Sequence, residues 1–180
     1  MTARILTVED WLNLALEELR THGYGALRAQ PLAKKLDVTR GSFYHHFESL
    51  DAFHSAVIGH WSKKTSGQIA LDAQDFDDPV EALDNLLQKT LCSGEALERA
   101  IRSWSTVAPS VAEAVERVDQ ERIGIAEALL LEAGLPETVS EARAKLLYWA
   151  AIGRLMLPFP KNNILTRSEI SGISALMMKN

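Results

Sequence analysis

The chain has 180 residues, of which 47% are hydrophobic and 24% charged, and its formal net charge is −5. That is enough apolar material for a packed core. No stretch approaches the ~20 apolar residues of a membrane span, and the N-terminus lacks a signal-peptide pattern. We therefore expect a cytoplasmic protein without a membrane partner. Cys92 is the only cysteine, which excludes a disulfide within the chain and a zinc site built from cysteines.

The first predicted helix begins at Val8 and supports the segment that follows it. Thr7 is a good N-cap, and Gly23 is a stop signal. Between them, apolar residues recur at the three- and four-residue spacing of one helical face. They are Val8, Trp11, Leu12, Ala15, Leu16 and Leu19.

Residues 31–47 predict two short helices joined by a tight turn, which is the outline of a helix-turn-helix. Leu32, Ala33 and Leu36 share one face of the first short helix. Asp37 follows, and Asp tolerates the left-handed conformation that ends a helix. Thr39 is a good N-cap for the second short helix.

The second short helix has one apolar side, formed by Phe43 and Phe47. Its other side suits groove and phosphate contacts, because Arg pairs with guanine, small residues allow close approach and hydroxyls reach phosphate oxygens. That side consists of Arg40, Gly41, Ser42, Tyr44 and His45.

This segment resembles the DNA-binding region of TetR-type transcriptional regulators. The matching stretches are Leu32-Ala33, Asp37-Val38-Thr39 and Gly41-Ser42-Phe43-Tyr44-His45-His46-Phe47. The resemblance extends upstream over residues 8–25 and downstream to about Trp61. It implies a repressor that binds a palindromic operator in double-stranded DNA as a homodimer. It also implies a small-molecule effector that changes the spacing of the two DNA-reading heads and lowers operator affinity.

We assign roles to ten residues of the predicted DNA-binding surface. Gln30, Arg40 and Ser42 are the candidates for base-edge contacts, with Gly41 permitting close approach. Arg28, Thr39, Tyr44 and His45 are expected to hold phosphates, and Lys34 and Lys35 to add general attraction.

The chain departs from the family pattern at three positions. Asp37 stands where Gly is usual, and Arg28 stands where a Thr usually caps the helix and binds a phosphate. Leu50 stands where the family commonly has a Lys that touches a phosphate. Because each neutralised phosphate contributes roughly 0.9 to the log–log salt slope, we expect a shallower salt dependence than the family's usual one.

The distribution of charge agrees with this reading. Residues 1–64 carry a formal charge of +1 and all five histidines, whereas residues 65–180 carry −6. A reader of DNA needs local positive charge near the groove rather than a basic whole.

The rest of the chain predicts helices only. A long helix starts at Leu50 and continues to about Leu71, and others start at Pro79, Glu95, Pro109 and Pro136 and after Thr166. About nine helices and no strand pattern indicate an all-α fold. We expect a DNA-binding domain over residues 1–48 and a helical ligand-binding and dimerisation domain over residues 49–180.

Two apolar stripes are candidates for the dimer interface, although periodicity alone fits packing within one subunit equally well. The first comprises Ala142, Leu146, Trp149, Ala150 and Gly153; the second comprises Ile170, Ile173, Leu176 and Met177.

Four large side chains are candidates for lining an apolar effector cavity, and each also fits an ordinary core position. They are Phe76, Trp104, Tyr148 and Met156.

Other chemistry finds little support in the sequence. His45 and His46 are adjacent and do not share a helical face, so they make a poor metal pair. We expect no cofactor, no bound metal and no enzymatic activity, because no phosphate loop or nucleophile elbow occurs. The alternatives are a helical protein-interaction module that keeps the fold without binding DNA, and an all-α enzyme.

Overall fold

The computed structural model describes residues 6–74, 76–92, 95–157 and 164–179, with the side chains of residues 68–74, 92 and 95 left out. Within these ranges the secondary structure is helical and contains no strand. The helices are α1 (Val8–His22), α2 (Ala29–Lys35), α3 (Arg40–His46), α4 (Leu50–Gln74), α5 (Pro79–Cys92), α6 (Glu95–Ser105), α7 (Pro109–Glu132), α8 (Glu137–Leu155) and α9 (Arg167–Met177). A short 3₁₀ turn lies at Tyr24–Ala26. The prediction of an all-α fold is confirmed.

Local signals in the sequence explain where several helices begin and end. At the start of α1, the Asp10 backbone N–H donates to the Thr7 hydroxyl, and the Thr7 N–H donates to the Asp10 carboxylate at 2.8 Å. The same capping box joins Thr166 and Glu169 at the start of α9. Each box satisfies backbone N–H groups that the helix itself leaves without partners.

The chain forms two compact units. Unit 1 comprises Met1–Lys63 and Ala96–Val115; unit 2 comprises Lys64–Glu95 and Glu116–Asn180. Helix α4 therefore starts in unit 1 and ends in unit 2, and α6 belongs to unit 1. The division into a DNA-binding domain over residues 1–48 and a second domain over residues 49–180 stays a prediction about function.

Unit 2 has its own hydrophobic core, built from α5, α7, α8 and α9. Leu83, Leu130 and Ile170 are completely buried in it, and Leu87 and Leu147 are nearly so. Helices α5 and α9 pack closely along this core. None of the described helices is long and apolar enough to cross a membrane.

Candidate nucleic-acid interface

An aromatic cluster in unit 1 fixes the position of α3. Trp11 of α1 is fully buried and meets the Phe43 ring edge-on, with ring centroids 5.5 Å apart. Phe53 of α4 lies 5.0 Å from Phe43 and 4.9 Å from Phe47, again between ring centroids. Edge-to-face aromatic pairs add about 0.5–1.5 kcal/mol each to the area they bury. The apolar side of α3 is thus held by α1 and α4, and its opposite side faces outward.

The turn between α2 and α3 has the geometry that its sequence predicts. Asp37 has φ of +57° and is the one non-glycine residue with positive φ among those described. The Val38 N–H donates to the Ala33 carbonyl at 3.0 Å, and the Asp37 N–H donates to the Lys34 carbonyl at 3.3 Å. This pair of bonds is a Schellman motif, which satisfies the last carbonyls of α2 and redirects the chain into α3. The prediction for Asp37 is confirmed.

The ten predicted DNA-binding residues lie on α2, on α3 and at their first caps. Ser42 is half-buried, and the other nine are exposed: Arg28, Gln30, Lys34, Lys35, Thr39, Arg40, Gly41, Tyr44 and His45. Arg28 and Thr39 occupy the N-cap positions of α2 and α3, and neither makes a side-chain capping hydrogen bond. Their side chains are therefore available to an outside partner.

Arg40 and Tyr44 form a pair on the outer side of α3. Arg40 Nη2 donates to the Tyr44 hydroxyl oxygen at 3.2 Å, and the guanidinium carbon lies 5.3 Å from the centroid of the Tyr44 ring. This hydrogen bond raises the pKa of Arg40 above its ordinary value, so the group stays charged. The pair restricts where the guanidinium can point before any partner arrives.

Lys35 has a structural partner that the sequence analysis missed. Its ammonium lies 2.5 Å from the Glu18 carboxylate, and the other Glu18 oxygen lies 3.2 Å from His22 Nδ1. Glu18 is 8% exposed and sits on the buried face of α1 beside Leu19. A carboxylate on the apolar face of an amphipathic helix is the sequence signal for such a partner, because a buried charge needs compensation. Lys35 thus ties α2 to α1.

His54 is a second contact that periodicity could not reveal. Its Nε2 lies 3.0 Å from the carbonyl oxygen of Leu27, directly before Arg28. The His54 ring also meets the Trp104 ring edge-on, with centroids 5.2 Å apart. This histidine therefore links α4 to the entry of α2 and to α6 within unit 1.

The first candidate dimer stripe lies on the outer face of α8. All five of its residues are exposed, with Leu146 at 53% and Trp149 at 63%. The opposite face of α8 is buried in unit 2 through Ala144, Leu147 and Ala151. Helix α8 therefore has two apolar sides, and the core of unit 2 covers only one of them.

The second stripe requires a correction at Ile170. Its side chain is completely buried in the core of unit 2, so it is not available to a second copy of the chain. The three- and four-residue spacing joins Ile170 to Ile173 and Met177, which are partly buried against the same core. Leu176 alone of this stripe is largely exposed.

The four candidates for the effector cavity are found in different environments. Trp104 is buried against His54 in unit 1. Phe76 lines a groove between α5 and α9 in unit 2. Tyr148 is half-buried, and Met156 is 60% exposed at the end of α8. Met156 directly follows the last residue of α8, and its place in an effector cavity stays a prediction. No group of three or more His, Cys, Asp or Glu side chains suited to a metal ion occurs among the described residues.

Comparison with known proteins identifies the N-terminal part of the chain. Residues 12–57 match the family model described as bacterial regulatory proteins, tetR family. They contain most of α1, all of α2 and α3, and the first turns of α4. Over these residues the chain is similar to the TetR family.

The whole chain has the fold of TetR-family regulators. A TetR transcriptional regulator from Legionella pneumophila is 19% identical, covers 98% of this chain and 100% of its own, and has a TM-score of 0.75. The reduced form of NemR from E. coli is 18% identical, covers 96% and 95%, and has a TM-score of 0.76. The superantigen PfiT is 21% identical, covers 97% of each chain, and has a TM-score of 0.73. No curated protein matches the sequence.

Proposed function

We propose that this protein is a homodimeric, sequence-specific regulator that binds a palindromic operator and represses transcription until a small-molecule effector releases it. The observation that carries the proposal is the outer side of the TetR-type α3. Arg40, Tyr44 and His45 are exposed there on a helix held by a buried aromatic cluster. A short helix presented in this way is the element that enters the major groove in helix-turn-helix proteins.

The roles of individual side chains follow from their reach and chemistry. We propose that Arg40, Ser42 and Gln30 contact base edges and that Gly41 lets the backbone approach the groove. Phosphates are held by Arg28, Thr39, Tyr44 and His45, and Lys34 adds electrostatic attraction to the DNA backbone. Lys35 contributes less than Lys34, since its ammonium already pairs with Glu18 at 2.5 Å.

The exposed stripe on α8 supports the homodimer. Ala142, Ala150 and Gly153 are small residues beside Leu146 and Trp149, and small residues let two helices approach closely. Exposed apolar patches on a helix face mark interaction sites more often than free surface. A two-fold dimer built on this stripe presents two copies of α3, and the operator is then palindromic.

The decisive test is a mobility-shift assay of the purified protein on DNA from upstream of its own gene, with excess random competitor at moderate salt. We expect a discrete shift. Arg40→Ala should weaken binding to the specific operator by about 1–3 kcal/mol and binding to random DNA by much less. Equal losses on both DNAs would reassign Arg40 to the phosphate backbone.

A matched variant controls for charge alone. Arg117 is an exposed arginine on α7 in unit 2, and Arg117→Ala removes the same charge. It should leave the shift unchanged. Absence of any shift even at low salt would contradict the proposed function as a whole.

A protein-interaction module is the second candidate. The structural similarity to the superantigen PfiT favours it, because a protein named for a different activity has the same fold. Loss of DNA binding at low salt together with an intact helical fold would select this candidate.

A further inference from the structure

Helix α2 is too short to hold its own position in unit 1. It has seven residues, Ala29–Lys35, and isolated helices of fewer than about twelve residues are marginal in water. Its buried residues are Ala29, Leu32 and Ala33. Two of these three are alanines, which bury little apolar area. Contacts from other helices therefore have to supply the stabilisation that the apolar side of α2 does not.

A side chain from another helix holds each end of α2. Before its first residue, His54 Nε2 of α4 lies 3.0 Å from the Leu27 carbonyl oxygen. A carbonyl oxygen only accepts hydrogen bonds, so this ring nitrogen is the donor. At the other end, the ammonium of Lys35 donates to the Glu18 carboxylate of α1 at 2.5 Å. Neither Glu18 nor His54 lies in the helix-turn-helix.

Glu18 is the anchor that an argument from charge does not predict. It is on the buried face of α1 and largely hidden from solvent, which keeps it out of reach of DNA. A carboxylate in a DNA-binding unit repels phosphates, and a buried carboxylate is costly unless it is paired. Its second cation, His22 at 3.2 Å, belongs to α1 as well. The bond to Lys35 is thus the one of the two that joins different helices.

We propose that Glu18 and His54 are positioning residues that set the affinity for DNA through the position of α2, without touching DNA themselves. A shift of either end of α2 moves the proposed contacts Arg28 and Gln30. It also moves α3, because the turn between the two helices is fixed by backbone hydrogen bonds. This inference rests on the proposed function of α2 and α3.

Two neighbouring glutamates of α1 provide the main test. Glu17→Gln and Glu18→Gln remove the same charge from the same helix, but Glu17 is exposed and pairs with Arg20 on its own helix. An effect of net charge alone would make both variants bind DNA more tightly. In fluorescence anisotropy on the operator, we expect equal or slightly higher affinity for Glu17→Gln. Glu18→Gln should bind about fivefold more weakly or worse, because a charge-assisted bond is lost.

The lysines of α2 provide a second matched pair. Lys35→Gln should reproduce the loss seen for Glu18→Gln, and Lys35→Arg, which keeps the charge, should restore most of the affinity. The double variant Glu18→Gln/Lys35→Gln should lose no more than either single variant, since all three lack the same contact. Lys34→Gln should add its loss to that of Glu18→Gln, because it removes attraction to phosphates instead.

The His54 anchor is tested by two replacements that differ in their hydrogen-bonding capacity. His54→Leu removes the donor to the Leu27 carbonyl, whereas His54→Gln offers a side-chain N–H in its place. Both lose the ring contact with Trp104, so the difference between them reports on the hydrogen bond. We expect His54→Gln to bind the operator more tightly than His54→Leu.

Hydrogen exchange shows whether the loss arises at α2 rather than from general unfolding. The N–H groups of Leu36 and Val38 donate to the carbonyls of Leu32 and Ala33 at 3.1 and 3.0 Å. They should exchange about tenfold faster or more in Glu18→Gln, as expected of local opening, while amides of α5 in unit 2 stay unchanged. This measurement needs no DNA. It therefore tests the Glu18 anchor even if the unmodified protein fails to bind an operator, a result that would contradict the proposed function itself.

The proposal fails on any one of three results. The first is a Glu18→Gln variant that binds the operator as tightly as Glu17→Gln does. The second is unchanged exchange of the α2 amides in Glu18→Gln. The third is equal affinity of His54→Leu and His54→Gln, which would show that the ring contact alone matters.

Discussion

Replacing Trp149 with alanine should break the proposed dimer while each subunit stays folded. Trp149 is 63% exposed, so of a tryptophan's roughly 250 Å² about 160 Å² is available to a partner. At about 25 cal/mol per Å², full burial of that area contributes at most ~4 kcal/mol per copy. The interface is two-fold, so every substitution counts twice.

The expected loss of dimerisation free energy is smaller than this upper limit. Residues at the rim of an interface stay partly hydrated, and neighbouring side chains move into the space that the deleted ring leaves. Taking about 2 kcal/mol per copy, typical of an aromatic hot spot, the dimer loses ~4 kcal/mol. At 1.4 kcal/mol per factor of ten, the dimer dissociation constant should rise about a thousandfold. Sedimentation equilibrium over a concentration series measures that constant directly.

Leu131→Ala is the matched control for lost apolar area. Leu131 is 41% exposed on α7, outside the α8 stripe, and its removal should not change the dissociation constant. The monomeric Trp149→Ala variant should still unfold in a cooperative thermal transition, since the opposite face of α8 still packs in the core. A dissociation constant unchanged within threefold for Trp149→Ala would refute the assignment of this stripe.

Three further outcomes follow from single residues. Tyr44→Phe should weaken binding to every DNA sequence by a similar factor in fluorescence anisotropy, as expected of a phosphate contact; a loss confined to one base position would instead show that the hydroxyl acts through Arg40, to which it is hydrogen-bonded. Leu50→Lys should steepen the log–log salt slope by roughly 0.9 per subunit, whereas Leu50→Gln should not, and equal slopes would mean that no phosphate lies near the start of α4. At the start of α9, the Thr166 N–H holds the pKa of Glu169 below its ordinary value, so the stabilisation that Glu169 gives is present above the unfolded pKa and is lost as pH falls through the folded pKa. Thr166→Ala removes the hydroxyl donor and keeps the backbone N–H, so the pKa of Glu169 should move only part of the way towards its ordinary value in an NMR titration. An unmoved pKa would show that the hydroxyl does not contribute to the shift.

The helices of this protein could be predicted because their signals are local. A helix start depends on a few neighbouring residues, as at Thr7 and at Pro79, and the left-handed turn at Asp37 needs only the preference of one side chain. The outer side of α3 could be predicted for the same reason. Once Phe43 and Phe47 are assigned to the core, helical periodicity alone places Arg40 and Tyr44 on the opposite side.

Pairings between distant segments could not be read in this way. The Lys35–Glu18 ion pair joins residues 17 positions apart, and the His54 contact to Leu27 joins residues 27 apart. Spacing along one helix says which residues share a face, but not which other helix that face will meet.

By itself, then, the sequence determined the number and positions of the helices, the helix-turn-helix and the resemblance to the TetR family, since all of these depend on residues close together in the chain. Tertiary structure alone decided which apolar faces are covered. Trp149 and Ile170 both belong to helical apolar stripes, yet one is exposed and the other completely buried. A stripe is buried only if another helix packs on it. Which helices pack on one another depends on contacts between distant parts of the chain.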